Sequence, residues 1–272
     1  MSKTLTFNID KAPDVTSTSV RIAKKPKKVS DNRLHFNVLL RSAVLTSLFG
    51  MAALASPVNA ECSNHATKLL SVEFESREVV KVESGNFYFK KGQPAPIHSH
   101  DAPAIGYITK GAILYQIEGE ELQLLNTGDA FYEPVGKRIL RFDNASDTED
   151  AIFVDFNLQQ EGEPFIVFEN PPTESIDRRA LPTTTLDGTK IDEASIAAQT
   201  LLPGKVKELN SHKPVLGYVA EGIVELRIKG KTPLRVNARE SFYQPKDSSE
   251  AVLVNTSSDV PAKVITFTLD ES

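Results

Sequence analysis

The sequence predicts an all-β protein built from two related domains in tandem. Short segments such as "SVEFESREVV", "GNFYFK", "AIFVDFNL" and "KVITFTL" alternate apolar and polar residues, with Gly, Pro, Asn and Asp between them. A period of two is typical of strands with one buried face. Three landmarks of the first half, "GYITKG" from 106, "FYEP" from 131 and "NAS" from 144, return as "GYVAEG" from 217, "FYQP" from 242 and "NTS" from 255. A single ungapped offset indicates duplication of one β domain.

The first 60 of the 272 residues differ in character from the rest. A basic stretch, "RIAKKPKKVSDNR", precedes Arg41, a mostly apolar run at 43–55 and the small-residue site "VNA" at 58–60. The apolar run is short for a bilayer span, so residues 1–60 are predicted to be a basic leader plus a signal peptide. An uncleaved membrane anchor is the alternative. We therefore expect a periplasmic or secreted protein, with no stable membrane partner after signal cleavage.

Charge and cysteine usage exclude some classes of partner and crosslink. Residues 1–60 hold nine Lys or Arg and three Asp, which leaves 22 basic and 33 acidic side chains for the rest of the chain. That acidic excess argues against a nucleic-acid partner. Cys62 is the only cysteine, so the chain forms no intrachain disulfide.

The repeat and the turn residues divide the rest of the chain. We predict a first β domain at 66–160, a Pro-rich polar linker at 161–194 and a second β domain at 195–270. Only "DEASIAAQTLL", at 192–202, shows a weak helical pattern.

Glycines and histidines of the first repeat stand at characteristic spacings. They are Gly92, His98, His100 and Gly111, followed by Gly128, Pro134 and Gly136. This pattern resembles the two signature motifs of the cupin superfamily, and the resemblance extends to both repeats. It implies a bicupin with two tandem jelly-roll β-barrels and a site inside the barrel.

His98 and His100 are the candidate metal ligands. Residues two apart on a strand face the same side, so both imidazoles can point at one ion. Divalent Fe, Mn, Zn, Ni or Cu accepts such ligands. The resemblance implies two further ligands, at positions that Ala104 and Ile139 occupy here. Since neither can bind a metal, we expect a reduced two-histidine site with weak occupancy, or two structural histidines in a polar pocket.

Other polar side chains on the strands of the first repeat could contact a ligand. The candidates for binding a substrate are Tyr107, Gln116, Tyr132, Glu133 and Arg141. A third metal ligand would come from Tyr132, Glu133 or Gln116.

The second repeat has lost more of the pattern. Leu209 and Ser211 stand at the positions of the two histidines, and His212 lies one residue out of phase. Arg239 and Asp247 replace two motif glycines, so the turns are expected to differ. We expect a structural barrel or a partner surface. "NAS" and "NTS" are also glycosylation sequons, but common ancestry explains them better.

Three functions remain open. The favoured hypothesis is an exported bicupin that binds a small molecule in the N-terminal barrel with little or no catalysis. The alternative is a metal-dependent cupin enzyme, a dioxygenase, isomerase or decarboxylase acting on a small organic acid, sugar or phenolic. The third is a structural or assembly role, for which the resemblance suggests a homodimer.

Overall fold

The computed structural model describes residues 66–248 and 250–271, and these residues form strands connected by turns. In chain order the strands are β1 (Thr67–Phe89), β2 (His98–Ser99), β3 (Ala104–Lys110), β4 (Ala112–Ile117), β5 (Gln123–Asn126), β6 (Ala130–Glu133), β7 (Ile139–Asn144), β8 (Ala151–Gln159), β9 (Val167–Phe168), β10 (Asp177–Ala180), β11 (Thr184–Leu201), β12 (Val206–Glu208), β13 (Val215–Glu221), β14 (Ile223–Ile228), β15 (Leu234–Asn237), β16 (Ser241–Gln244), β17 (Ala251–Asn255) and β18 (Ala262–Asp270). Within this part of the chain, no helix is long and apolar enough to cross a membrane. The all-β prediction is confirmed.

The strands form two jelly-roll barrels, as the sequence predicts. One wall of the first barrel is β1, β8, β3 and β6, and its other wall is the sheet β5-β4-β7-β2-β9. The second barrel repeats this plan with β11, β18, β13 and β16 against the sheet β12-β17-β14-β15. Strands β1 and β11 pair antiparallel, so the first-named walls of the two barrels join, together with β10 beside β1, in a single nine-stranded sheet.

The two barrels meet through equivalent faces of this joined sheet. Phe156 of β8 and Phe267 of β18 occupy the same position in their repeats, and their ring centroids lie 4.5 Å apart. Both rings are buried in one apolar cluster that includes side chains from both repeats. Contact between residues at the same position of each repeat indicates an approximate two-fold relation between the barrels.

The segment predicted as a linker, 161–194, contains β9, β10 and the first part of β11. The helix suggested by the pattern at 192–202 is wrong, because residues 192–201 lie in β11. There it pairs with β1 on one side and β18 on the other, and Ala194 and Ile196 are buried at alternate positions. Pairing on both edges outweighs the helix propensity of its alanines.

The turns of the second repeat keep the backbone conformation of the first, which corrects the expectation that they differ. Gly128 and Gly136 have φ values of 106° and 67°, and their counterparts Arg239 and Asp247 have 69° and 58°. Such positive φ is unfavourable for side chains other than glycine. The carbonyl of Arg239 accepts a 3.0 Å hydrogen bond from Asn86 Nδ2, which helps to hold that turn.

The asparagines of the repeated "NAS" and "NTS" motifs have a structural role, because their side chains form hydrogen bonds with the backbone of other segments. Asn144 and Asn255 are buried, and their amide nitrogens donate to two or three backbone carbonyls each. Their Oδ1 atoms accept from the backbone N–H of Ser146 and Ser257 at 2.9 Å. The same role in both barrels agrees with common ancestry.

Candidate metal centre

His98 begins β2 in the five-stranded wall of the first barrel, and His100 directly follows that strand. His98 pairs with Ile139 of β7 and with Phe168 of β9, while His100 forms an isolated bridge with Val135. The two imidazole rings are almost perpendicular, with centroids 5.4 Å apart. Their exposed fractions are 4% and 1%, so both side chains are inside the barrel.

Glu133 brings a carboxylate to the two histidines. It is the last residue of β6, a strand in which Phe131 and Glu133 are buried while Ala130 and Tyr132 are partly exposed. Glu133 Oε2 lies 3.0 Å from His100 Nε2, and Glu133 Oε1 lies 3.5 Å from His98 Nε2. One ligand atom from each of the three side chains lies within 4.8 Å of the others.

Backbone carbonyls set the tautomer of both rings. His98 Nδ1 lies 2.8 Å from the carbonyl oxygen of Pro96, and His100 Nδ1 lies 2.8 Å from that of Phe165. A carbonyl only accepts, so each Nδ1–H donates and each Nε2 of a neutral ring turns its lone pair towards Glu133. Two lone pairs beside a carboxylate repel unless a proton or a cation lies among them. In many proteins, a hydrogen bond from Nδ1–H to a backbone carbonyl orients a metal-binding histidine in this way.

Without a metal, a proton on His100 separates the imidazole nitrogens from the Glu133 carboxylate. Burial has the largest single effect and lowers the pKa of His100, but the charge and hydrogen bond of Glu133, with the charge of Asp155 and the carbonyl of Phe165, together raise that pKa from 6.5 to about 9. Burial also has the largest single effect on Glu133 and raises its pKa, but the charge of His100 and the hydrogen bonds from His100 and His98 together lower that pKa from 4.5 to about 2. The metal-free centre is therefore an imidazolium beside a carboxylate at neutral pH.

The donor set fits a divalent transition metal ion. His100 Nε2 and Glu133 Oε1 are buried and, among the described residues, have no partner outside the group of His98, His100 and Glu133. Two imidazoles and one carboxylate form a site with positions open for other ligands, suited to Fe, Mn, Zn, Ni or Cu. Ala104 and Ile139 carry no ligand atom. Of the three residues predicted as a possible third ligand, Glu133, the register partner of Ala104, has its carboxylate beside the two histidines.

Tyr107 and Tyr132 do not reach the histidines. Strand residues alternate between faces, and both tyrosines follow residues that face the first barrel, Gly106 and Phe131. Tyr107 is 1% exposed in the apolar cluster between the barrels, and Tyr132 packs against the same cluster. Neither is placed to bind a ligand of the metal centre.

Gln116 and Arg141 also lie away from the centre. They are register partners on β4 and β7. Gln116 Nε2 donates to the carbonyl of Glu120 at 3.2 Å, and the Arg141 guanidinium donates to Asp143 at 2.7 Å. With 43% of its side chain exposed, Arg141 belongs to the surface. Of the five side chains predicted to contact a ligand, Glu133 alone joins His98 and His100.

Sequence reasoning missed a buried polar row beside the centre. Asp155, Asn157 and Gln159 of β8 have exposed fractions of 3%, 0% and 0%. The signal was present in "DFNLQ", where polar residues occupy every second position of an otherwise apolar strand. Burial raises the pKa of Asp155 from 3.8 to about 7.

The second barrel has an amide where the first has its carboxylate. Gln244 is the counterpart of Glu133, and it pairs with Val215 as Glu133 pairs with Ala104. Its Nε2 donates to the carbonyls of three residues at 3.0, 3.2 and 3.0 Å, which are Asn210, Lys213 and Pro245. Across residues 66–248 and 250–271, the His98, His100 and Glu133 set is the one group of three metal-binding side chains.

Comparisons with known proteins agree with this architecture. AerE from Microcystis aeruginosa superposes with a TM-score of 0.51 at 13% identity, covering 75% of this chain and 99% of its own. Oxalate decarboxylase from Bacillus subtilis gives 0.52 at 16% identity, covering 75% and 74%, and a further oxalate decarboxylase structure gives 0.55 at 14%, covering 76% of each chain. Such low identities show the fold alone. No curated protein matches the sequence. Residues 85–157, which include both histidines and Glu133, match the family described as a cupin domain, and with the shared fold this match supports the cupin superfamily for this chain.

Proposed function

We propose that this protein is a metal-dependent cupin enzyme whose N-terminal barrel binds one divalent transition metal ion and acts on a small polar molecule. The observation that supports this proposal is the convergence of His98 Nε2, His100 Nε2 and the Glu133 carboxylate in a buried volume. Decarboxylase, dioxygenase and isomerase chemistry on an organic acid, sugar or phenolic remain the reaction classes, because fold alone does not choose among them. The oxalate decarboxylase neighbours make decarboxylation the first reaction to test.

Each residue of the centre has a distinct role in this proposal. His98, His100 and Glu133 would hold the ion, while the carbonyls of Pro96 and Phe165 keep the rings in the tautomer that metal binding needs. A bound ion with open positions would supply Lewis acidity. A redox-active ion would also supply electron transfer.

Asp155 could serve proton transfer in the same barrel. With a pKa of about 7, its carboxyl group exists in both protonation states near neutral pH. It lies on β8, the strand that pairs with β3 beside the centre. Phenylalanines of the barrel core, including Phe87 and Phe153, limit the access of water.

A non-catalytic binding protein is the second candidate. The enclosure of the centre favours it, because the side chains of His98, His100 and Glu133 are 5%, 1% and 4% exposed. Strand β9 pairs with β2 and helps to close the barrel. In either case we propose an exported protein, on the strength of the apolar run at 43–55, which lies outside the described residues.

The test is metal content and turnover of protein purified without a metal-binding tag. Plasma mass spectrometry should find about one equivalent of Fe, Mn, Zn, Ni or Cu per chain, lost in a His98→Ala/His100→Ala variant and strongly reduced in Glu133→Gln. Glu225→Gln, in the second barrel, should keep its metal. The metal-loaded protein should then convert a small organic acid, sugar or phenolic. Absence of metal from folded, metal-supplied protein would refute the proposal, and metal without turnover would favour the binding protein.

A further inference from the structure

The polar row on β8 leaves several hydrogen-bonding groups unused. Asp155 Oδ1, Asn157 Oδ1 and both amide atoms of Gln159 are buried without a hydrogen-bond partner among the described residues. Native proteins pair almost all buried polar groups, so several such atoms on one strand face need an explanation. A bound polar molecule would satisfy them together.

The second barrel provides an internal comparison. The counterparts of the row in the second repeat are Thr266, Thr268 and Asp270. The Thr266 hydroxyl donates to a backbone carbonyl at 3.5 Å, and Asp270 forms an ion pair with Lys213. Two of the three positions in the second barrel therefore have side-chain partners within the protein, whereas Asp155 Oδ1, Asn157 Oδ1 and the Gln159 amide atoms have none among the described residues. In this row, the run of unpartnered atoms belongs to the barrel with the candidate metal centre.

Arg178 of β10 brings a positive charge to the same face of β1, with 25% of its side chain exposed. It pairs in register with Phe87, a residue of the first barrel's core, and its guanidinium stacks on the ring of Phe165 at 3.7 Å. One guanidinium nitrogen donates to Glu83 at 2.9 Å. Its Nε is buried without a partner among the described residues, so the charge is only partly satisfied.

A glycine makes room for this arginine beside Asp155. A Cβ atom at position 85 would lie 2.9 Å from Arg178 Nε and 3.0 Å from Arg178 Cγ. Gly85 is the register partner of Asp155, so Arg178 crosses β1 next to this carboxyl group. Arg178 is one of the charges that lower the pKa of Asp155, against the larger effect of burial.

The row connects Arg178 to the metal centre. Asn157 pairs with Ala104, which pairs with Glu133, so these three residues form one rung across β8, β3 and β6. Asn157 Nδ2 also lies 3.1 Å from His100 Nδ1. A divalent ion and Arg178 would carry three positive charges, which Glu133, Glu83 and an ionised Asp155 would balance. The attraction for an anion is therefore local, at the Arg178 guanidinium, whose Nε has no partner among the described residues.

We propose that this row and Arg178 bind a short carboxylic acid that carries a second oxygen function. Its carboxylate pairs with the Arg178 guanidinium, and its second oxygen accepts from or donates to the amides of Asn157 and Gln159 beside the metal centre. Positions two apart on a strand are separated by about 6.7 Å, which suits an acid of about three or four carbons. This inference rests on the proposed function for the metal beside the row, but the pairing with Arg178 does not require the metal.

The test measures binding of lactate, pyruvate and malate by calorimetry, with and without Zn²⁺, and uses lactamide as the uncharged control. At least one acid should bind, and lactamide should bind at least about tenfold more weakly. Arg178→Ala should weaken acid binding about tenfold or more, and Arg178→Lys should weaken it less. Arg179→Ala is the matched control, because Arg179 stacks outside the barrel on Tyr88 at 3.6 Å and its removal should change affinity less than about twofold.

The outcomes separate this inference from the proposed function. Circular dichroism and metal content should be unchanged in Arg178→Ala and Arg178→Lys. Acid binding that depends on Arg178, in a folded protein that takes up no metal when metal is supplied, would uphold the inference and refute the metal-dependent enzyme. Metal binding without acid binding, or equal losses for Arg178→Ala and Arg179→Ala, would overturn the inference. So would a crystal structure, grown with these acids, that shows only water along the row.

Discussion

Ala104 and Glu133 are direct register partners on β3 and β6. The cupin resemblance places a glutamate ligand at position 104, whereas this chain carries its carboxylate on the neighbouring strand. Side chains paired across antiparallel strands have Cβ atoms about 4.5–5.5 Å apart, so either position can reach the same volume. The small side chain at 104 leaves space for the carboxylate from 133.

The first prediction exchanges these two side chains. Glu133→Ala should lower metal affinity at least about tenfold, because one of three ligands is lost. In the double variant Ala104→Glu/Glu133→Ala, the carboxylate returns from the partner strand and most of the affinity should return with it. Chelator competition measures the affinities, and circular dichroism checks the fold. Equal affinities for wild type and Glu133→Ala would show that Glu133 is not a ligand.

The second prediction concerns the counterpart of Glu133 in the second barrel. Gln244→Leu removes an amide that donates to three carbonyls, so it should lower the free energy of unfolding by about 2–3 kcal/mol. Urea denaturation measures the loss, and metal content should stay unchanged. Gln123→Leu, at an exposed position of β5, serves as the control and should change stability by less than about 0.5 kcal/mol. A loss of metal in Gln244→Leu would contradict the structural role.

The third prediction follows from the raised pKa of Asp155. The folded metal-free protein keeps this carboxyl group protonated up to about pH 7, while the unfolded chain releases the proton near pH 3.8. Stability should therefore fall as pH rises between these values, by an amount on the order of a few kcal/mol. Asp155→Asn should remove this part of the pH dependence.

Denaturant unfolding of the metal-free protein at pH 4, 5.5 and 7 tests this prediction. Burial is the main cause, with the charge of Glu133 in the same direction and those of His100 and Arg178 opposing it. Asp143→Asn, on the neighbouring wall, is the control and should keep the wild-type pH profile. Identical profiles for wild type and Asp155→Asn would exclude the raised pKa.

The fourth prediction concerns the contact between the barrels. Phe156→Ala and Phe267→Ala should each lower the free energy of unfolding by about 3–5 kcal/mol, because both rings are buried in the shared cluster. A double-mutant cycle should give a coupling of about 0.5–1.5 kcal/mol for rings at this separation. Additive losses would indicate that the two rings act independently, and would argue against a specific contact across the approximate two-fold axis.

Several features of the site could not be predicted from local sequence patterns. Tyr107 and Tyr132 were predicted to contact a ligand from their residue type, but their side chains lie on the face of their strands that points away from the interior of the first barrel. Arg178 lay in a segment predicted as a linker, and only its pairing with Phe87 brings it to the first barrel. Such features depend on register and on strand pairing over long separations, which period-two patterns do not encode.

The sequence by itself determined the strands, the duplication and the position of the histidine pair. Alternation of apolar residues, the constant offset between the repeats and the spacing of His98 and His100 are all local or repetitive signals. The tertiary structure decided that Glu133 completes the donor set, that β11 replaces the expected helix and that the barrels meet through Phe156 and Phe267. The physical reason is that a strand's pattern fixes which residues share a face, while pairing between distant strands decides which faces meet.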